Sequence, residues 1–587
     1  ANNPGDPNIV TITDAFSPLV VHISNASGNP YTFTGSGKLT GGTLVSKTGT
    51  GIAKFANANN DFSGATTISG GAIIKQVADS TTGDINVTAD NVSFVLDGGI
   101  ADGAGQTVHI HGPGITGANY FFANSGGYRG ALQSQNGNNT WEGDIALEST
   151  ANGALTVNRV GVQSNASLTL TGNITENVTG AYLLFRAGNL GENITLAGPS
   201  TYSYTAETQM FSFGGSIILG SDNKLPTGIL LNLTSGGSTV FDMNGFDQET
   251  AGIYGGATGL MATITNNGSG PSVLTSSPAV GISVTSNAFI TDDGTNTVSF
   301  VKNGEGSQIL GNANTYSGTT TVNAGILSIN GDQTGATGAV QVSGGSLGGA
   351  GIIGGAVTVG ALGILDPAYV VTAGATGTLT VDSANFSAGG TLAVDLNDAN
   401  GQKADLLAVN NGLNVANAKL VFKVAGALAE TSYTIASAGS ITGTISPGDV
   451  TGLPAGYQLV HTATEIRLEQ AAGYATWAAA NAGGGTADQD HDNDGVENGV
   501  EYFLGETGSG FTTSPTSLTG PTATWTNGGN IPSGDYGSQF VIQTSGNLVD
   551  WTDVVDTDPN LDNQAGSVSY TLTGSGSRFM RLKVTPN

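Results

Sequence analysis

The chain has 587 residues, 93 of them glycine, with 38% hydrophobic residues, 10% charged residues and no cysteine. So much Val, Ile and Leu is too apolar for a solvated coil, and so little Glu, Lys and Arg is too few for helices, which leaves short strands and tight turns. Sixteen basic residues against 44 acidic ones give a net charge of -28, which argues against nucleic acid and anionic lipid as partners and favours divalent cations. Without cysteine there are no disulfides and no thiolate metal sites, and the redox compartment stays open.

The opening Ala1-Asn2-Asn3-Pro4 reads as a mature N-terminus after signal-peptide removal, which places the protein outside the cell or on its surface. No stretch is long and apolar enough to be a transmembrane segment. Residues 1–39 read as a strand-bearing cap. Within it, Ile9 to Ser24, with Phe16 and Leu19-Val20-Val21, is apolar enough to pair with a neighbouring subunit.

Residues 40–470 carry alternating runs such as Thr378-Leu379-Thr380-Val381 and Leu392-Ala393-Val394-Asp395-Leu396, separated by Gly41-Gly42, Asn330-Gly331 and Gly389-Gly390. Short half-buried strands joined at glycines that tolerate positive φ predict a stacked β-coil. Internal repetition strengthens this. Lys47-Thr48-Gly49-Thr50-Gly51 precedes Asn57-Ala58-Asn59, Phe62-Ser63-Gly64 and Gly71-Ala72-Ile73-Ile74. Lys302-Asn303-Gly304-Glu305-Gly306 precedes Asn312-Ala313-Asn314, Tyr316-Ser317-Gly318 and Gly325-Ile326-Leu327 in the same order. Asn139-Thr140-Trp141-Glu142-Gly143 and Thr201-Tyr202-Ser203-Tyr204 are looser copies. In each unit the aromatic is expected under a turn, the glycine at the corner, and the Val/Ile/Leu face in the stack. One coil cannot bury that face without its neighbours.

These residues, and above all the run at 314–325, resemble the autotransporter-associated β-strand repeat of large exported bacterial proteins, notably of verrucomicrobial and planctomycetal type. The stretch from Gly348-Gly349-Ala350-Gly351 to Asp405-Leu406-Leu407-Ala408-Val409 resembles the closing coils of such solenoids. The resemblance implies a right-handed parallel β-helix with a secreted or surface role.

Residues 471–508 form a helix-plus-loop linker. Tyr474 to Ala480 is helical up to Gly483-Gly484-Gly485, and Glu497 to Leu504 is helical up to Gly505. Residues 509–587 read as a small β-sandwich. The linker holds the one specific site motif, Asp490-His491-Asp492-Asn493-Asp494-Gly495-Val496-Glu497-Asn498-Gly499-Val500-Glu501. Its oxygen donors occupy loop positions that suit calcium: Asp490, Asp492 and Asp494 by carboxylate, Val496 by its carbonyl, Asn498 directly or through water, and Glu501 by both oxygens. Asp488 is a peripheral candidate. The loop resembles dockerin and thrombospondin type 3 loops, with a structural calcium ion.

Catalytic residues are not evident. None of Arg129, Arg159, Arg186, Arg467, Arg578 and Arg581 lies in a polysaccharide-lyase or polygalacturonase motif, and Asp292-Asp293 heads a turn. His109 and His111 share one strand face, expected outward, with no third ligand near in sequence. The leading expectation is an extracellular structural protein that assembles with itself into a filament or layer. The alternative is a monomeric adhesin that stacks surface glycans on Tyr120, Phe121, Phe122 or Tyr128. A polysaccharide lyase or hydrolase ranks last.

Overall fold

A strand of four or five residues presents too little apolar face to hold a core, so coils must supply it to one another. The computed structural model describes residues 8–115, 130–153, 156–163, 166–233, 238–256, 261–368, 374–454, 457–470, 473–506, 510–512, 516–574 and 578–586. These fall into two compact units, Ala1–Gly338 and Ala339–Asn587.

In the first unit each strand pairs in parallel with the strand one coil later. One ladder begins Asn8–Thr11, Tyr31–Thr34, Ile52–Phe55, Gly71–Lys75, Val92–Asp97 and reaches Ser307–Leu310 and Ile326–Ile329. A seven-stranded sheet from Val20–Ser24 to Ile174–Glu176 and an eight-stranded sheet from Ala101–Asp102 to Phe289–Ile290 supply further faces. Register sets like on like: Phe33 partners Phe55, with the two rings stacked 4.8 Å apart. The parallel β-solenoid expected from the glycine-punctuated strands is present. Its ladder already includes Asn8–Thr11 and Val20–Ser24, which pair with Tyr31–Thr34 and Leu44–Thr48.

The two clearest sequence repeats adopt one geometry. Lys47 pairs with Ile68 and Lys302 with Val322, each within the last two residues of its strand and fully buried. The Lys47 ammonium donates to the carbonyls of Thr48, Gly49 and Gly70 at 2.6, 2.9 and 2.9 Å. Lys302 donates to Asn303, Gly304 and Ala324 at 2.6, 2.8 and 3.0 Å. Burial pushes both amines down to about 8, while the carbonyl oxygens favour the charged form. The aromatics Phe62, Trp141, Tyr202 and Tyr316 are all buried, as expected.

Two features of the repeat differ from the sequence alignment. Asn314 corresponds to Asn60 and not to Asn59. Asn60 accepts the Leu39 N–H at 3.0 Å, Asn314 accepts that of Ile290 at 2.9 Å, and Asn139 accepts that of Ile100 at 2.9 Å. In all three the buried asparagine stands two residues before the aromatic and staples it to the preceding coil. The extra residue in the first copy hides this in the text. The second difference is why the corner glycine is needed. A Cβ at Gly64 would lie 2.3 Å from the Thr43 carbonyl oxygen, and one at Gly318 2.3 Å from that of Val298, so close approach of the preceding coil is the constraint. Positive φ is the requirement later, at Gly71 (65°) and Gly325 (61°).

In the second unit, Val340–Val342, Ile352–Val359, Thr378–Asn385, Leu406–Asn414 and Ser432–Thr442 form one parallel ladder. Ser346–Gly349, Ile364–Pro367, Thr391–Leu396, Lys419–Val424 and Val450–Thr451 form another. An antiparallel hairpin, Tyr457–His461 with Glu465–Gln470, closes the first of these on Ser432–Thr442. Two helices follow, α1 (Tyr474–Asn481) and α2 (Asn498–Leu504), the latter stopped at Gly505 with φ 77°. Beyond them lie a four-stranded and a three-stranded antiparallel sheet. Trp477 of α1, Tyr502 and Phe503 of α2, and Trp525, Phe540, Val568 and Leu582 of the sheets share one core.

Candidate metal centre

The acidic motif becomes a tight loop entering α2. Gly495 has φ 92° with open space around the missing Cβ, so the glycine is there for its backbone and not for room. Asp490 organises the turn, accepting the Asn493 N–H at 2.8 Å on Oδ1 and the Gly495 N–H at 2.8 Å on Oδ2. Asp492 accepts from Asp494 at 3.2 Å, and Asp494 accepts from Val496 at 2.7 Å. Three half-buried carboxylates thereby converge, with one oxygen from each within 4.8 Å of the others.

Glu501, on α2, is fully buried. Its Oε1 accepts the Thr512 hydroxyl at 3.1 Å, while Oε2 is buried without a hydrogen-bond partner, as is Asp492 Oδ2. Burial first, and then the charges of Asp492, Asp494 and Asp490, raise its carboxyl to about 7. Two orphaned acceptors beside clustered acids suit a hard divalent cation, which takes oxygen ligands and removes the repulsion that raises Glu501. The residues present therefore fit calcium.

Asn498 is fully buried, its Oδ1 taken by the His491 N–H at 3.0 Å and its Nδ2 given to the Thr486 carbonyl at 3.0 Å. It ties the loop's start to α2. Val496 is half-buried and packs against the shared core. Asp488 is exposed, its carboxyl held below the usual range by a hydrogen bond from Thr486. Sequence reasoning missed Thr512, whose N–H donates to Asp494 and whose hydroxyl reaches Glu501 and Glu506. It lies beyond the motif, in a segment with no pattern of its own.

The remaining candidates resolve locally. Asp292 and Asp293 are turn formers: Asp293 Oδ1 accepts the N–H groups of Thr295 and Asn296 at 2.8 and 2.7 Å, and Asp292 also accepts the Ser317 N–H of the next coil at 2.7 Å. His109 and His111 are half-buried, and stacking brings them acids that their own strand lacks. Glu148 lies 2.6 Å from His109, and Asp90 lies 3.2 Å from His111. Tyr120, Phe121, Phe122, Tyr128 and Arg129 lie outside the described residues. Acids with a basic partner, the constellation of a polysaccharide-cleaving β-helix, do occur at Asp366, Asp395, Asp405 and Lys423. The three acids are 2%, 7% and 0% exposed, however, and a sugar chain cannot reach them.

Comparison with known proteins adds two findings. The Passenger-associated-transport-repeat family matches residues 45–74 and 300–329, the two segments that fold around Lys47 and Lys302. A 67-residue stretch, 11% of this chain, is 52% identical to the Adhesin BmaC autotransporter of Brucella suis biovar 1 (strain 1330). The chain spans about 2% of the length of that curated relative. What the structure and these matches establish together is a parallel β-solenoid that carries autotransporter-associated repeats.

Proposed function

We propose that this protein is a surface-displayed or secreted bacterial adhesin whose solenoid presents binding faces and performs no catalysis. The single observation carrying the reading is that the adhesin likeness and the repeat matches fall in a chain built as a parallel ladder, a scaffold that displays surface without needing a cleft. In this reading the coils wind right-handed, as crossovers between parallel strands do. The two terminal sheets pack as a β-sandwich. A calcium ion held by Asp490, Asp492, Asp494 and Glu501 fixes that module's helices. Surface glycans are the partner class.

Self-assembly into a filament is the second reading. It rests on the first coil, where Ile9 is 55% and Leu19 is 83% exposed beside a strand edge. The adhesin likeness ranks it below display. Binding of purified protein to glycan and extracellular-matrix panels, with electron microscopy of the same sample, tests both. Saturable binding by single particles is expected. Filaments without binding would reverse the ranking, and release of reducing sugar from any panel member would end the non-catalytic reading.

A further inference from the structure

Asp366, Asp395 and Asp405 come from separate segments of the second unit. Asp366 lies on Ile364–Pro367, Asp395 on Thr391–Leu396, and Asp405 directly before Leu406–Asn414. Register and a local hairpin bring them together: Asp395 partners Lys423, and the Asp405 N–H donates to the Asp395 carbonyl at 2.9 Å. One carboxylate oxygen from each lies within 4.8 Å of the other two. Lys423 reaches Asp366 at 2.6 Å and Asp395 at 3.7 Å, its side chain 42% exposed at the edge of the group.

Charge and hydrogen bonding both leave this group incomplete. Three carboxylates against one ammonium leave two negative charges in a place with almost no solvent. Such a deficit is far costlier than a paired charge. Asp405 is half accounted for, since Oδ1 accepts the Gly377 N–H and Oδ2 the Asp395 N–H, each at 2.9 Å. Asp366 is not. Only 2% exposed, it turns one oxygen to Lys423 and has the other, Oδ1, buried without any hydrogen-bond partner. Burial also pushes the Asp405 carboxyl up to about 8, so a proton is the competing occupant.

We propose that Asp366, Asp395 and Asp405 form a second divalent-cation site, for calcium, buried inside the second unit and distinct from the loop at 490–501. Oxygens sharing a calcium ion at 2.3–2.6 Å lie up to about 5 Å apart, so this group is compact enough to share one ion, and a buried cage of protein oxygens suits calcium better than magnesium, which keeps several of its waters. The ion's two charges equal the deficit, and the orphaned Asp366 oxygen gains a ligand bond. Lys423 stands by as a neighbouring positive charge that weakens the site.

The test uses the full chain with the loop disabled by D490N, D492N and D494N together. Calcium titration by calorimetry is expected to show one remaining site per chain, lost on adding D366N and tightened several-fold on adding K423M. Circular dichroism checks that each variant is folded. Should D366N fail to fold, terbium soaked into the loop-disabled protein gives a variant-free readout: an anomalous peak among the three carboxylates is expected. No residual calcium binding, a residual site untouched by D366N, or no terbium peak at saturation would overturn the proposal in favour of a shared proton.

Discussion

Replacing Lys47 by methionine keeps the methylene packing and removes the ammonium that serves three part-buried carbonyls. Each carbonyl loses a hydrogen bond to a charged donor, worth about 1.5–2 kcal/mol. Against that stands the release of a charge whose burial is visible in the amine's depression to about 8. The bonds are short and three in number, so the loss exceeds the relief, and a net destabilisation of about 2 kcal/mol follows. A solenoid transmits such a change mainly to neighbouring coils and does not unfold as one unit, so a single melting temperature is a poor readout. Native-state hydrogen exchange is the suitable assay. Protection of Thr66–Ile68 and Gly71–Lys75 should fall by about 30-fold, while Thr320–Val322, in the other repeat, stays unchanged. Unchanged or increased protection beside Lys47 would refute the reasoning. It would mean that the buried charge, and not the carbonyls, dominates, as happens when some buried ion pairs are replaced by apolar groups.

The same lysines predict a pH dependence. Below pH 8 they are protonated in both folded and unfolded chains and contribute no slope. Between about 8 and 10.5 the unfolded chain holds more protons, so stability should rise with pH there, and in K47M/K302M that rise should shrink when followed by urea midpoints. Gly64→Ala forces a Cβ against the Thr43 carbonyl and should cost about 3 kcal/mol, whereas Gly228→Ala, with open space around it, should be neutral or stabilising by about 0.5 kcal/mol in the same assay. At the loop, Glu501 must lose its proton to bind calcium. With its carboxyl at about 7, lowering pH from 8 to 6 should weaken apparent calcium affinity about tenfold, and E501Q should abolish that dependence in calorimetry. Without calcium the sign reverses: the protonated Glu501 favours the fold, so stability falls as pH rises from about 4.5 to about 7.

The ladder was legible because it is written in local terms. Alternation says which face is buried, and recurring glycine says where the chain turns, so Ile73, Ile74 and Leu327 could be placed in a core without knowing their partners. The two helices were legible for the same reason, since glycines mark their ends. Lys47 and Lys302 were visible as repeat markers but not as core residues, because a lysine reads as exposed until the carbonyls that surround it are seen. The roles of Asn60 and Asn314 were hidden by one inserted residue. At the acidic loop the motif named Asp490, Asp492, Asp494 and Glu501, yet motif position alone did not show that Asn498 spends its amide on His491 and Thr486.

Buried charge is what the sequence hid most completely, and it divides into two kinds. In the first unit Lys75 lies 2.7 Å from Asp79 and 2.5 Å from Asp102, while Thr81 donates to Asp79 through both its N–H and its hydroxyl. Burial still raises the Asp102 carboxyl, so a proton can absorb the one remaining charge. In the second unit the imbalance is larger, and Lys423 reaches Asp366 through Oδ2, so the buried Oδ1 has no hydrogen-bond donor. Calcium should therefore protect Leu406–Asn414 from hydrogen exchange in the loop-disabled protein and leave Gly71–Lys75 unaffected. Equal protection of both strands would point to nonspecific screening of the acidic surface instead of a site.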